Sequence, residues 1–230
     1  MNVKGVSAIN SMPLYLTTTN PKIKTIKDFT DKDRIALPAV KVSIQAVTLQ
    51  MAAAKAFGFK HYDKLDHLTV SMKHPDAMVA MYSKGTGIDA HFGSPPFQYQ
   101  ELEHPGTHLV LNSYKVLGGP ATFNAVWTTA KFRKDNPKLY KAVLESLKQA
   151  MNIINRDKMA AAKLYVQDAH SKLPVEFIYK ILTNPEVKYT VLPLNTMKYA
   201  DFMYKTGQIK HQPRSWKDMF FSNIDNLPGS

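Results

Sequence analysis

The sequence predicts an α/β fold built as two lobes, and three observations carry that expectation. Between residues 34 and 112 short apolar runs alternate with helical patterns, β-α-β-α-β-α-β, which implies a mainly parallel sheet covered on both faces. Gly118-Gly119-Pro120 then punctuates the chain, and after one more extended segment the pattern turns helical. Two extended segments, near 12–19 and 122–130, flank the alternating stretch and would link it to a second body made from both flanks, the wiring of a two-lobed hinge protein. The expected division is 1–19 as first crossover segment and remnant of lobe one, 20–118 as lobe two, and 119–230 as return strand and helical part of lobe one.

Residues 12–19, Met-Pro-Leu-Tyr-Leu-Thr-Thr-Thr, read as a strand that Asn20-Pro21 breaks. Residues 25–33 read as a polar turn of helix and loop. Residues 34–37 form an apolar run that Pro38 stops. Ser43 is a good N-cap, since its hydroxyl can accept from backbone N–H groups of a first turn. Ile44, Val47, Ala52 and Ala56 then make an approximately helical stripe, and Gly58 stands where a C-cap glycine belongs. A strand follows at 68–72, and then a helix from Pro75, a favoured first helical position, to about Lys84-Gly85. Residues 88–92 form a short strand, Gly93-Ser-Pro-Pro leads to a brief helix, and His108-Leu-Val-Leu-Asn is another strand.

Beyond the punctuation, Phe123-Asn-Ala-Val-Trp-Thr-Thr-Ala is a strand. Asn136 as N-cap and Pro137 at the first position open a long helix with Tyr140, Val143, Leu144, Leu147, Met151 and Ile154 on one face. Further helices are expected at 158–169, 174–183, 195–206 and 215–221, with a short strand, Tyr189-Thr-Val-Leu, among them.

Composition narrows the function classes. With 44% hydrophobic and 21% charged residues, the chain has an ordinary globular make-up. No apolar run approaches the roughly 20 residues of a membrane span, and the first residues hold no signal-peptide core. There is no cysteine, which excludes disulfides, thiolate metal sites and a cysteine nucleophile. The net charge of +12 raises nucleic-acid binding. However, the lysines are scattered and alternate with acids, as in Asp31-Lys32-Asp33-Arg34, and no basic cluster with interleaved aromatics occurs, so a solvated basic surface is the better reading. His104 and His108 are four apart, but Pro105-Gly106 breaks any helix between them, and no zinc pattern emerges from His61, His67, His170 or His211. No phosphate-loop, dinucleotide-binding or nucleophile-elbow motif is present.

Four segments, in order and spacing, resemble a known family. They are Ile23-Lys-Thr-Ile-Lys-Asp-Phe-Thr, then Arg34-Ile-Ala-Leu-Pro with Ser43-Ile-Gln-Ala. Next come Pro75-Asp-Ala-Met-Val-Ala-Met with Gly87-Ile-Asp-Ala-His-Phe-Gly-Ser-Pro-Pro, and the return strand followed by Asn136-Pro137 and a long helix. The chain is similar to solute-binding proteins of ABC importers of the nitrate, sulfonate and taurine type, with the thiamine-precursor-binding-like domain. The resemblance implies a type II periplasmic-binding-protein-like fold with one complete α/β lobe plus the C-terminal part of the other. It also implies extracytoplasmic location, a small anionic ligand and an ABC-transporter permease as partner. Such proteins begin with a further β-α-β-α portion, so on the order of 100 residues would precede Met1 in a complete member.

An anion site is expected where strand C-termini meet helix N-termini. Lys41 and Val42 lie in the loop before the Ser43 helix, and Asp76 lies in the first turn of the next helix. Ser94 follows a strand end. Ser11 and Met12 open one crossover strand, and Asn124 on the other can both donate and accept. These eight residues are the candidate ligand contacts; no catalytic residue, metal or cofactor is expected. Two alternatives stand beside capture for import. One is an enzyme like the fungal thiamine-pyrimidine synthases, which the lack of cysteine disfavours. The other is a ligand-sensing effector module, in which the charge of +12 would serve partner contact.

Overall fold

Pro13 and Gly119 mark where the chain passes between two compact units in the computed structural model, which describes residues 2–230. One unit is Met1–Met12 with Pro120–Ser230; the other is Pro13–Gly119. The sequence reading divides the chain after residues 19 and 118 instead. The difference arises because the segment after Pro13 hydrogen-bonds into a sheet with strands from residues 90–112.

In chain order the strands are β1 (Val3–Ser11), β2 (Tyr15–Thr18), β3 (Ile35–Leu37), β4 (Thr69–Ser71), β5 (Ala90–Phe92), β6 (His108–Asn112), β7 (Thr122–Thr129) and β8 (Lys188–Tyr189). The helices are α1 (Ile44–Phe57), α2 (His74–Tyr82), α3 (Phe97–Glu103), α4 (Ser113–Leu117), α5 (Ala130–Asp135), α6 (Pro137–Arg156), α7 (Lys158–Asp168), α8 (Val175–Thr183), α9 (Thr196–Lys205) and α10 (Trp216–Met219).

The Pro13–Gly119 unit carries a five-stranded sheet in the order β4-β3-β5-β2-β6. β3 pairs parallel with β4 and β5. β2 is inserted antiparallel between β5 and β6, so the sheet is mixed and the expectation of a mainly parallel one needs that correction. Its strands are short and fully buried in the middle: Leu16, Ile35, Ala36, Leu37, Ala90 and Phe92 are all at 0% exposure. Such strands read as continuous apolar runs because both faces are covered. Helix α1 departs from the expected stripe. Gln45 through Ala53 are buried consecutively, so its first two turns are enclosed on every side. Helix α2 ends at Tyr82, short of Lys84-Gly85.

No helix forms in 25–33. Asp28 Oδ2 accepts from the N–H groups of Lys24 (3.0 Å) and Thr25 (2.7 Å), and Asp33 Oδ2 from Thr30 N–H (2.7 Å). Side chains that capture local backbone donors in this way compete with a helix, and those donations hold the Asp28 carboxyl below its usual range.

The other unit holds a three-stranded antiparallel sheet, β7-β1-β8, under helices α5–α10. The sequence reading omits β1, α4 and α5. It also gives Asn136 a capping role that its side chain does not play: the amide donates back to the Phe132 carbonyl (3.2 Å) at the end of α5. Gly5 is fixed by sterics, since a Cβ there would lie 2.4 Å from the Phe220 ring, whose residue bridges to it. Val6, Tyr140, Leu144 and Phe221 form the local core beneath α6.

Candidate functional site

The loops leaving β3, β4 and β5 share one edge of the five-stranded sheet, because these three strands are neighbours and parallel. That carboxyl edge is where α/β sheets place ligands. Met72 N–H donates to the Leu37 carbonyl (2.9 Å) and Ser71 Oγ to the Pro38 carbonyl (2.9 Å), joining the first two loops.

Five predicted residues lie here. Ser43 caps α1, its hydroxyl accepting from Ala46 N–H at 3.2 Å. Lys41 has φ of 66°, and Val42 N–H closes a tight turn on the Val40 carbonyl (2.9 Å), leaving Val42 75% exposed. A positive φ at a residue other than glycine is uncommon and worth tracing to a role. Burial raises the pKa of Asp66, and the Lys41 charge works against that rise. Asp76 is exposed in the first turn of α2 and makes no side-chain cap bond. Ser94 is buried, and its carbonyl accepts from Gln98 N–H (3.2 Å) at the start of α3.

A buried polar chain beneath this edge escaped the sequence reading. His91 and Glu101 are both at 0% exposure, with Nδ1 and Oε1 2.5 Å apart. Glu101 Oε2 accepts from Thr17 Oγ1 at 2.7 Å. The other ring nitrogen of His91 is 2.8 Å from Nδ1 of His74, the first residue of α2. Burial and the adjacent His91 charge lower the His74 pKa to about 4. His74 stacks on Phe97, centroids 5.8 Å apart, and Gly93 packs so closely on the His91 ring that a Cβ would sit at 3.2 Å. A histidine inside the apolar run Ala90-His91-Phe92 is the one sequence signal that could have found it. Among the described residues, no group of three or more His, Cys, Asp or Glu is arranged to hold a metal.

Three predicted residues lie in the other unit. Ser11 is fully buried and pairs with Thr122 and Lys188 across β1. Met12 is buried beside it. Asn124 is exposed on β7 in register with Asn10, whose Oδ1 accepts from the Asn124 backbone N–H (3.2 Å). Ser11 and Asn124 are thus near neighbours on paired strands. An open groove of about 740 Å³, lined by Lys210, His211, Arg214 and Asp218 among others, contains none of the eight.

No protein-family model matches the chain, and no curated protein matches it in sequence. Its similarities are to solved structures. The periplasmic aliphatic sulphonate-binding protein SsuA of Escherichia coli aligns over 96% of this chain and 75% of its own, at 18% identity and a TM-score of 0.65. The alkanesulfonate-binding protein SsuA of Xanthomonas axonopodis pv. citri, bound to MOPS, aligns over 93% and 71%, at 18% identity and a TM-score of 0.67. The ligand-binding component of an ABC-type import system from Staphylococcus aureus, with zinc bound, aligns over 98% and 74%, at 13% identity and a TM-score of 0.63. The chain therefore has the periplasmic-binding-protein fold, and these structural neighbours are solute-binding proteins.

Proposed function

We propose that this chain captures a small oxyanion-bearing solute, an alkylsulfonate first of all, outside the cytoplasm and hands it to an ABC importer. The observation that carries the reading is the carboxyl edge of the five-stranded sheet. There the capped start of α1 and the turns at Lys41 and Ser94 converge on a fold shared with two sulfonate-binding proteins. Backbone N–H groups at the start of a helix, together with its dipole, favour an anion. Lys41, Val42, Ser43, Asp76 and Ser94 are the candidate contacts on this unit, and Ser11, Met12 and Asn124 those on the other. Solutes such as nitrate or a carboxylate present the same chemistry to these donors. The test is calorimetry with MOPS, taurine, ethanesulfonate, nitrate and benzoate. Binding of a sulfonate at micromolar concentration is the expected result. Absence of heat with all five overturns the reading.

A further inference from the structure

We propose that His74 contacts the solute directly: its Nε2–H, held as a donor by the buried Glu101–His91 pair, hydrogen-bonds an anionic oxygen. The inference rests on the solute-capture reading above and adds to it a side-chain donor and the residues that orient it.

The chain of contacts begins at a buried carboxylate. Glu101 is wholly enclosed, and among the described residues no lysine or arginine pairs with it. A buried carboxylate is stable only when its charge is matched. The group placed to match it is His91, whose Nδ1 lies 2.5 Å away, with Thr17 Oγ1 filling the second carboxylate oxygen. With His91 protonated, both of its ring nitrogens are donors. One N–H points at Glu101 and the other at His74 Nδ1, 2.8 Å distant. His74 must accept at Nδ1, so its own proton sits on Nε2. The low pKa of His74, about 4, keeps it neutral near pH 7. It is then a donor that neither gains nor releases a proton on binding.

The free end of this chain is open. Among the described residues, only Ser7 Oγ and Asp225 Oδ1 are buried side-chain polar atoms without a partner. His74 Nε2, which has no protein partner, therefore reaches solvent. The ring cannot easily turn, since it stacks on Phe97 and is tethered to His91. It stands just past β4, on the same edge as Ser43 and Ser94. A purely structural network would close on itself inside the lobe. This one is satisfied at every buried atom and ends at a single exposed donor.

The test combines proton–nitrogen NMR of the imidazoles with calorimetry, using MOPS as probe. In the free protein at pH 7, His74 is expected as the Nε2–H tautomer. A His74 found as the Nδ1–H tautomer overturns the inference without any ligand. On adding MOPS, the His74 Nε2–H resonance should move, and His74→Phe should weaken binding about ten- to a hundredfold, the span for a hydrogen bond to a charged group. His74→Gln, which carries an amide donor of similar reach, should retain more affinity than His74→Phe. Glu101→Gln, which removes the carboxylate that orients His91, should switch the His74 tautomer, an outcome that a role in packing alone would not produce. Heat of binding with an unmoved His74 resonance and unchanged affinity in His74→Phe removes this inference and leaves the solute-capture reading intact. Silence of both measurements with every probe removes both.

Discussion

The two units strike different balances between buried polar and exposed apolar groups. The Pro13–Gly119 unit buries polar groups: Thr17, Gln45, Thr48, Gln50, His91, Gln98 and Glu101 all lie in its interior. The other unit exposes more large apolar ones: Trp127, Leu139, Ile153 and Leu164 are each more than half exposed, against Val42 and Val79 in the first. Five strands covered by helices make an interior large enough to hold hydrogen-bonded polar chains. Gln98, for example, donates to the Pro13 carbonyl (2.9 Å) and accepts from Tyr15 N–H (3.0 Å). Three strands cannot cover the apolar faces of six helices, so α6 and β7 leave part of theirs in water. A buried polar group costs free energy unless it is paired, whereas an exposed apolar side chain costs little. The first unit should therefore respond sharply to substitution, and the second only where its small local cores are struck.

Five measurements sharpen or break this contrast. Phe92→Ala removes a fully buried ring from the centre of the five-stranded sheet and should cost about 4 kcal/mol in urea unfolding. Gly5→Ala drives a methyl into the Phe220 ring and should cost about 2 kcal/mol, showing that the smaller sheet has its own rigid points.

The third measurement is of pH. The folded pKa of His74, about 4, lies below the unfolded value of 6.5, so between them the unfolded chain binds more protons. The stability contribution is complete above pH 6.5 and disappears as pH falls through 4. Discounted for the partial exposure of the ring, it amounts to about 2 kcal/mol, read as the difference in stability between wild type and His74→Phe across that range. A flat difference would show that burial and the neighbouring His91 charge do not depress His74. Ser43→Ala deletes the cap on α1 and should cost about 1 kcal/mol. Trp127→Ser should change stability by less than about 0.5 kcal/mol. A larger loss would mean that the exposed face of β7 is more supported than its 65% exposure indicates.

What the sequence revealed follows the range of the forces involved. Ser43 and Gly58 bracket α1 because caps act within one turn, and Pro137 opens α6 for the same reason. The helices from α6 to α9 were legible from local periodicity and punctuation. β1 was not, because its pairing with β7 shifts register between Gly5 and Ser7, and again between Ala8 and Asn10 and between Asn10 and Ser11. Bulges of that kind erase the two-residue alternation by which strands are recognised. Val6, Ser7 and Ala8 are buried in succession as a result. The antiparallel insertion of β2 was equally hidden, since nothing in Tyr15–Thr18 specifies that its partners lie about 75 and 95 residues onward. The candidate site divides in the same way. Ser43, Asp76 and Ser94 were read from helix and strand ends. His74, His91 and Glu101 meet only when α2, β5 and α3 are assembled, and no spacing in the chain announces that meeting.

The position of β2 bears on how the molecule is made. As the chain leaves the ribosome, Tyr15–Thr18 emerges long before Ala90–Phe92 and His108–Asn112, between which it must lie. At about 5–20 residues per second it waits several seconds without its neighbours. β1 waits longer, since Thr122–Thr129 and Lys188–Tyr189 come later still. The inner unit can therefore finish assembling while β1, already outside, is still a loose thread. A pause in translation once Gly119 has cleared the ribosome, with Thr122–Thr129 still enclosed, would favour orderly maturation, and a nascent chain arrested at that point should already resist protease across Pro13–Gly119 but not across β1.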